Sequence, residues 1–161
     1  MKYKASLDST TKILTALVIV FIIWAITKVE FQSPHHVKYI VLLSVALIIL
    51  IGCFLYAPMS YELTGSELVI IRRAGNRTIK LTDIEEIKAV TRDELGWGIR
   101  IFGDGGFMGY FGKFFYSKTG WVTLYATQRG NMVLIQTKQG KKVIITPDDL
   151  SLVEMVKDKM K

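Results

Sequence analysis

The sequence predicts a two-helix transmembrane hairpin, then a mainly-β sandwich or barrel of seven strands with a C-terminal α-helix. Three observations predict it. Two long uncharged runs occupy the first third of the 161 residues, Ile13 to Thr27 between Lys12 and Lys28, and Tyr39 to Ala57 just ahead of Pro58. From Met59 onward apolar and polar residues alternate in period two, the pattern of half-buried strands. The last stretch changes period, with Leu150, Val153, Val156 and Met160 falling on one helical face. The chain thus divides into 1–58, a tail and hairpin with spans about 10–29 and 38–57, and 59–161, a single domain.

At ~1.5 Å per residue the second run reaches roughly 28 Å, close to the hydrocarbon thickness of a bilayer. The first reaches about 22 Å by the same rise. Lys12 and Lys28 can snorkel there, and Thr10, Thr11 and Val29 can lengthen the helix. Trp24, Tyr39 and Tyr56 lie near the ends, where amphipathic rings prefer the headgroup layer. A cleaved signal peptide over Met1 to Thr27 is disfavoured, because no small-x-small site lies near Ala25 and a second apolar run follows. Burial of both helices in a soluble core is disfavoured too, since between Leu42 and Leu55 only Ser44 and Cys53 are even mildly polar. Lys2, Lys4 and Lys12 precede the hairpin and Arg72, Arg73 and Arg77 follow it, against two lysines in the connector from Lys28 to Lys38. That bias places both termini in the cytoplasm. The lone cysteine, Cys53, permits no intramolecular disulfide.

The formal charge of +7 comes from five basic and two acidic residues before Pro58, and sixteen and twelve after it. The cations of the domain are scattered, so no nucleic-acid partner is expected, and attraction to anionic lipid headgroups is the simpler match. Tyr61 to Leu63 opens the strands, Thr64-Gly65 turns, and Leu68 to Arg73 returns. Ala74-Gly75-Asn76 leads into Arg77 to Leu81, and after a turn at Asp83 comes Ile87 to Arg92. Trp121 to Gln128, Met132 to Thr137 and Lys142 to Thr146 complete the set, joined by tight turns at Arg129-Gly130-Asn131 and Gln139-Gly140. A helix then opens at Thr146 or Pro147, with Asp148 and Asp149 in its first turn and Lys157, Lys159 and Lys161 near its end, both complementing the macrodipole.

Seven up-and-down strands followed by one amphipathic helix is the element order of the pleckstrin-homology superfold. More narrowly, Gly103-Asp104-Gly105-Gly106-Phe107, Gly109-Tyr110-Phe111-Gly112, Tyr125-Ala126-Thr127 and Ile144-Ile145-Thr146-Pro147-Asp148 resemble the signature of a bacterial PH-like domain family. Membrane-anchored members of that family carry two spans ahead of the domain. The resemblance implies a fold over Met59 to Asp149 and little about activity, because fold alone does not fix function. PH domains that bind phosphoinositides place cations around the first turn, and here that turn is Thr64-Gly65 with none. Lys138, Lys141 and Lys142 read as a solvated turn.

In an up-and-down meander the start of the first strand, where the second span enters, shares an end with alternate turns. Arg72, Arg73, Arg77 and Arg129 are therefore candidate headgroup contacts, the first three each contributing ~1 kcal/mol against anionic lipid. Thr64-Gly65 and the turn from Lys138 to Lys142 are expected at the far end.

The segment from Gly96 to Gly120 holds eight of the thirteen glycines together with Trp97, Phe102, Phe107, Tyr110, Phe111, Phe114, Phe115 and Tyr116. Such a segment packs as core, dips into a membrane or clasps a ligand, or docks a partner. Arg100, Asp104, Phe107, Tyr110, Phe111 and Lys113 are its candidate ligand or partner contacts. Nucleotide binding is set aside, because Gly103-Asp104-Gly105-Gly106 is followed by aromatics rather than by a helix. His35 and His36 lie in the connector without a third ligand, so no metal is expected. Asp83, Glu85 and Glu86, and Asp93 with Glu94, read as solvated turns rather than an acid/base pair. The expectation is a non-catalytic, membrane-tethered binding or scaffolding module without a cofactor, in contact with the bilayer and with a protein partner or its own copies. The alternative is an accessory subunit that docks a larger membrane enzyme or transporter through the Gly/aromatic segment.

Overall fold

The computed structural model describes residues 1–28 and 36–160. Strand β1 (Lys2–Lys4) leads into helix α1 (Ser9–Thr27), which is capped by the Asp8 side chain: its Oδ1 accepts the Thr11 amide at 2.7 Å. Helix α2 (His36–Tyr56) follows. Both helices are long and apolar enough to cross a membrane. Only 6% of the most apolar stretch of α1 and none of that of α2 is buried, so neither is the core helix of a soluble fold. Helix α2 starts inside the expected connector, making Lys38 helical, while Val29 and His35 lie outside the described residues.

Ala57 is buried, and β2 (Pro58–Leu63) starts without a linker. It pairs with β3 (Glu67–Arg72), which pairs with β4 (Arg77–Lys80). On its other side β2 pairs with β1, Tyr3 opposite Tyr61. Chain from both sides of the helix pair is thus woven into one four-stranded sheet, which fixes the start of α1 and the end of α2 on the same side of the helices.

A 3-10 turn (Leu81–Asp83) leads to β5 (Ile84–Val90), the short helix α3 (Arg92–Leu95), β6 (Gly98–Gly105), β7 (Tyr110–Tyr116), β8 (Gly120–Ala126), β9 (Met132–Thr137), β10 (Lys142–Ile145) and α4 (Ser151–Met160). These strands form a second sheet in the order β5-β9-β10-β8-β7-β6. Four expectations are corrected. The described residues hold ten strands rather than seven, because the tail forms β1 and the Gly/aromatic segment forms β6 and β7. The strands do not run simply up and down: β10 inserts between β8 and β9, parallel to β8 with Ile144 opposite Leu124. The turn at Arg129 to Asn131 therefore joins strands that do not pair, leaving a strand-wide gap that β10 fills. Helix α4 begins at Ser151, and it is Leu152 rather than the exposed Leu150 that joins Val153 and Val156 in the core. Asp148 and Asp149 precede it because both carboxylates are engaged, Asp148 by the Ser6 amide at 2.9 Å and Asp149 by the Ser151 amide at 2.8 Å.

Strand β9 is buried on both faces. Val133 and Ile135 pack with Tyr61, Leu68, Ile70 and α4 in one cluster, and Met132 and Leu134 pack with Phe114, Leu124 and Leu95 of α3 in another. The six-stranded sheet is thus the middle layer, with the four-stranded sheet and α4 against one face. On its other face the chain from β5 crosses through α3 to reach β6 at the opposite edge. A polar tie joins the two sheets where β8 and β10 run parallel: Tyr61 Oη donates to the Tyr125 carbonyl at 2.6 Å and accepts the Thr146 amide at 3.1 Å.

Candidate functional site

The domain meets the helices through three groups of side chains. The first is a collar of arginines at the end of α2. Pro58 lies opposite Arg72 in the β2–β3 register, so the β3–β4 turn returns to the helix. Arg73 Nη1 donates to the Phe54 carbonyl at 3.1 Å, its guanidinium lies 3.9 Å from the Phe54 ring, and the Ala74 amide bonds the Leu55 carbonyl at 2.9 Å. These bonds cap carbonyls that a helix end leaves free. Arg72 stacks over Tyr56 and Tyr125 at 5.4 and 5.6 Å, and Arg77 Nε reaches the Tyr125 hydroxyl at 3.4 Å.

The second group sits at the start of α1. Asp8 Oδ2 accepts the Arg129 amide at 3.2 Å and the Tyr110 hydroxyl at 3.5 Å, and the Arg129 guanidinium lies 5.0 Å over the Tyr110 ring. Partial burial raises the Asp8 pKa, but the bonds from Thr11 and Arg129 outweigh it and hold the carboxyl below its ordinary value.

The third group is the tip of the β6–β7 hairpin. Asp104 is buried, and its carboxylate accepts the amides of Gly106 at 3.1 Å, Phe107 at 2.9 Å and Met108 at 3.1 Å. A carboxylate bonded by three amides rigidifies the turn. Gly106 backs onto α1, where an added Cβ would sit 3.4 Å from Leu14 Cδ2, and Asp104 and Arg100 lie near enough to Cys53 of α2 for their charges to reach its thiol. Leu14 is five residues into α1 and Cys53 three from the end of α2. At 1.5 Å per residue the tip reaches about 5–8 Å along the helices, past their ends. Phe102, 78% exposed, and the exposed Ile101 lie on β6 three to four residues before that tip, Phe102 opposite Lys113.

Residues 59–160 match a family model described as a bacterial PH domain, and the match spans the folded domain described above. The chain belongs to that family. No curated protein and no solved structure matches it.

The bacterial PH domain distributes the predicted site residues among different environments. Arg100 and Tyr110 point to the inner side of the six-stranded sheet, into a cavity of about 570 Å³. Asp104 organises the hairpin tip and Phe107 is half-buried there. Phe111 is buried on the opposite side of β7 from Tyr110, and exposed Lys113 donates to Thr123 Oγ1 at 3.0 Å. The six residues therefore do not form one surface. Arg72, Arg73 and Arg129 gather at the helix ends, with Arg77 beside them through Tyr125. Gly65 lies at the far end of β2 from Pro58, beyond the Leu63–Leu68 pair, so the turn is remote from α2, and the cation that reaches it is Lys159 of α4, 3.4 Å from the Thr64 carbonyl. Arg92, which the sequence did not single out, also lines the cavity. Its position on α3 became visible only with the crossing of the sheet, and no local motif marks it. Among the described residues no group of three or more His, Cys, Asp or Glu could hold a metal ion.

Proposed function

We propose that the protein is a non-catalytic, membrane-tethered binding module. Its two helices anchor it in a bacterial cell membrane with both termini in the cytoplasm, and its β6–β7 hairpin rests in the interfacial layer beside them. The reading is carried by one observation: the hairpin tip packs against Leu14 and beside Cys53, past the ends of both apolar helices. Helices of 19 and 21 residues are roughly 28 and 31 Å long, about the hydrocarbon thickness, so their ends fall at its boundary. A hairpin whose tip reaches past those ends meets lipid, and the exposed Ile101 and Phe102, three to four residues behind the tip, are the apolar groups it offers to the interfacial layer. Arg72, Arg73 and Arg129 sit at the level where anionic headgroups lie. Lys2, Lys4 and Lys12 before the helices, and these arginines after them, support the cytoplasmic side for the domain.

A second reading, an accessory subunit docked on a larger membrane protein, draws support from the other end of the hairpin. Ile99, Phe115 and Trp121 stand in one cross-strand row on the sheet's outer face, with Phe115 and Trp121 rings 5.7 Å apart. Ile99 and Trp121 are 50% and 62% exposed, and β6 is an edge strand, the kind of surface a protein partner covers.

A photoreactive phenylalanine in place of Phe102, in the full chain in native membranes, separates the two. Lipid captured at this position is the expected result. Protein captured there with no lipid would overturn the interfacial reading in favour of docking, and the same probe at Trp121 would then name the partner.

A further inference from the structure

The feature that neither the anchor nor the hairpin tip uses is the cavity on the inner side of the six-stranded sheet. Its two edge strands, β5 and β6, are joined by the crossing that contains α3, and Leu95 of α3 is driven into the sheet's second core cluster. Between α3 and strands β6 to β8 a space of about 570 Å³ stays open, within the size range of sites for small organic ligands. Glycines shape the lining: on the inward face of the hairpin β6 offers Gly98 and Gly105, and the Tyr116 ring and the Arg100 side chain lie over them.

The lining is asymmetric in chemistry. Phe114, Leu124, Ala126 and Ile144 form an apolar floor, and Arg92, Arg100 and Arg129 stand around it. No aspartate or glutamate lines the cavity. Among the described residues the ion pairs are Lys88–Glu86 and Lys157–Glu154, and none of the three arginines takes part in one. Burial raises the pKa of Tyr116, and the charges of Arg92 and Arg129 act against that rise. Three cations facing one apolar space repel each other, the Asp8 carboxylate at the rim offsets only Arg129, and planar guanidiniums match an oxyanion through paired hydrogen bonds. An inorganic anion would leave the apolar floor uncovered.

The rim also adjoins the helix end. Arg129 and Tyr110 line the cavity and bond Asp8, the cap of α1, so this side of the lining adjoins the point where the proposed anchor enters the bilayer. We infer that this cavity takes an anionic amphiphile from the adjoining leaflet, with its oxyanion head held by Arg92, Arg100 and Arg129 and its apolar body on the Phe114–Leu124 floor. The inference rests on the membrane-facing reading above. It places the ligand inside the curved sheet, away from the Thr64-Gly65 turn.

Native mass spectrometry of the full chain in neutral detergent tests it, with lysophosphatidic acid and oleate as phosphate- and carboxylate-headed probes. One molecule of at least one probe per chain is expected, with lysophosphatidylcholine much weaker. Arg92→Gln and Arg100→Gln should each weaken binding about tenfold, the effect of losing one charge-assisted hydrogen bond, while Lys113→Gln on the outer side leaves it unchanged. Binding of neither probe, equal binding of the zwitterionic lipid, undiminished affinity in both arginine variants, or inorganic phosphate displacing the probe at equal concentration would each overturn the inference. Lipid capture at position 102 without amphiphile binding would remove the cavity ligand and leave the membrane-facing reading standing; loss of lipid capture would remove the reading itself.

Discussion

Gly112→Ala is expected to destabilise the domain by about 3 kcal/mol or more and to release the β6–β7 hairpin from the helices. Gly112 and Gly103 face each other across the hairpin, with φ of +117° and +115°. Backbone there is closed to side chains: a Cβ at Gly112 would lie 2.2 Å from the Phe102 carbonyl oxygen and 2.8 Å from Gly103 Cα. Neither neighbour is a flexible side-chain end, so the strands must separate. Separation removes a wall of the cavity and the support of the Asp104 turn. Gly140→Ala is the control, since it has φ +74° but open space around its Cβ and should cost only about 1–2 kcal/mol of backbone strain. Thermal melting of both variants in detergent, with hydrogen exchange over residues 98–116, separates clash from strain. Equal melting points for the two variants would refute the packing described for the hairpin.

Tyr61→Phe is expected to cost roughly 1–3 kcal/mol, because it leaves the Thr146 amide and the Tyr125 carbonyl without their buried partner. The phenol is fully buried, and burial, only partly offset by the bond from Thr146, pushes its pKa up from 10.0 to about 12. A raised acid pKa means that the folded state favours the neutral form. The contribution is complete below pH 10, where the unfolded phenol is also neutral, and it is lost as pH rises from 10 toward 12. Stability should fall there by about 1.4 kcal/mol per pH unit from this group alone. The difference in melting point between wild type and Tyr61→Phe should therefore narrow between pH 10 and 12. A difference constant across that range would show that the phenol ionises as readily in the fold as outside it.

The elements that the sequence disclosed are those whose side chains carry the pattern. Uninterrupted apolar runs marked α1 and α2, and alternation marked β2, β3, β8, β9 and β10, because their buried positions are filled by residues such as Tyr61, Leu68, Val122, Ile135 and Ile144. The β6–β7 hairpin escaped for the converse reason. Its inward positions include Gly98, Gly103, Gly105 and Gly112, which erase the apolar signal, and its exposed face carries Ile99, Ile101 and Phe102, which invert it. Strand β1 is three residues long, too short for a period to show. Turn chemistry at Arg129-Gly130-Asn131 predicts a tight hairpin, but a turn does not choose the partner: the chain reverses there, and β10 takes the place beside β8. The gathering of Arg72 and Arg73 at the end of α2 followed from the direct entry of α2 into β2, whereas Arg129 reaches the start of α1 through Asp8 in a sheet that is not the simple meander expected. The cavity did not, because Arg92, Arg100 and Arg129 converge only once β5 and β6 are known to be opposite edges of one curved sheet.

The measurement closest to the central claim is the depth of the hairpin in a bilayer. A nitroxide attached at Phe102→Cys in a Cys53→Ala background, in the full chain reconstituted in lipid vesicles, reports depth through its relative accessibility to oxygen and to a water-soluble nickel complex. A second label at Lys138→Cys, on the β9–β10 turn remote from the helices, gives the aqueous reference. The account predicts position 102 at or below the phosphate layer and position 138 in water. Equal nickel accessibility at the two positions would contradict it, leaving the arginine collar and the hairpin as internal packing of a domain that stands clear of the membrane.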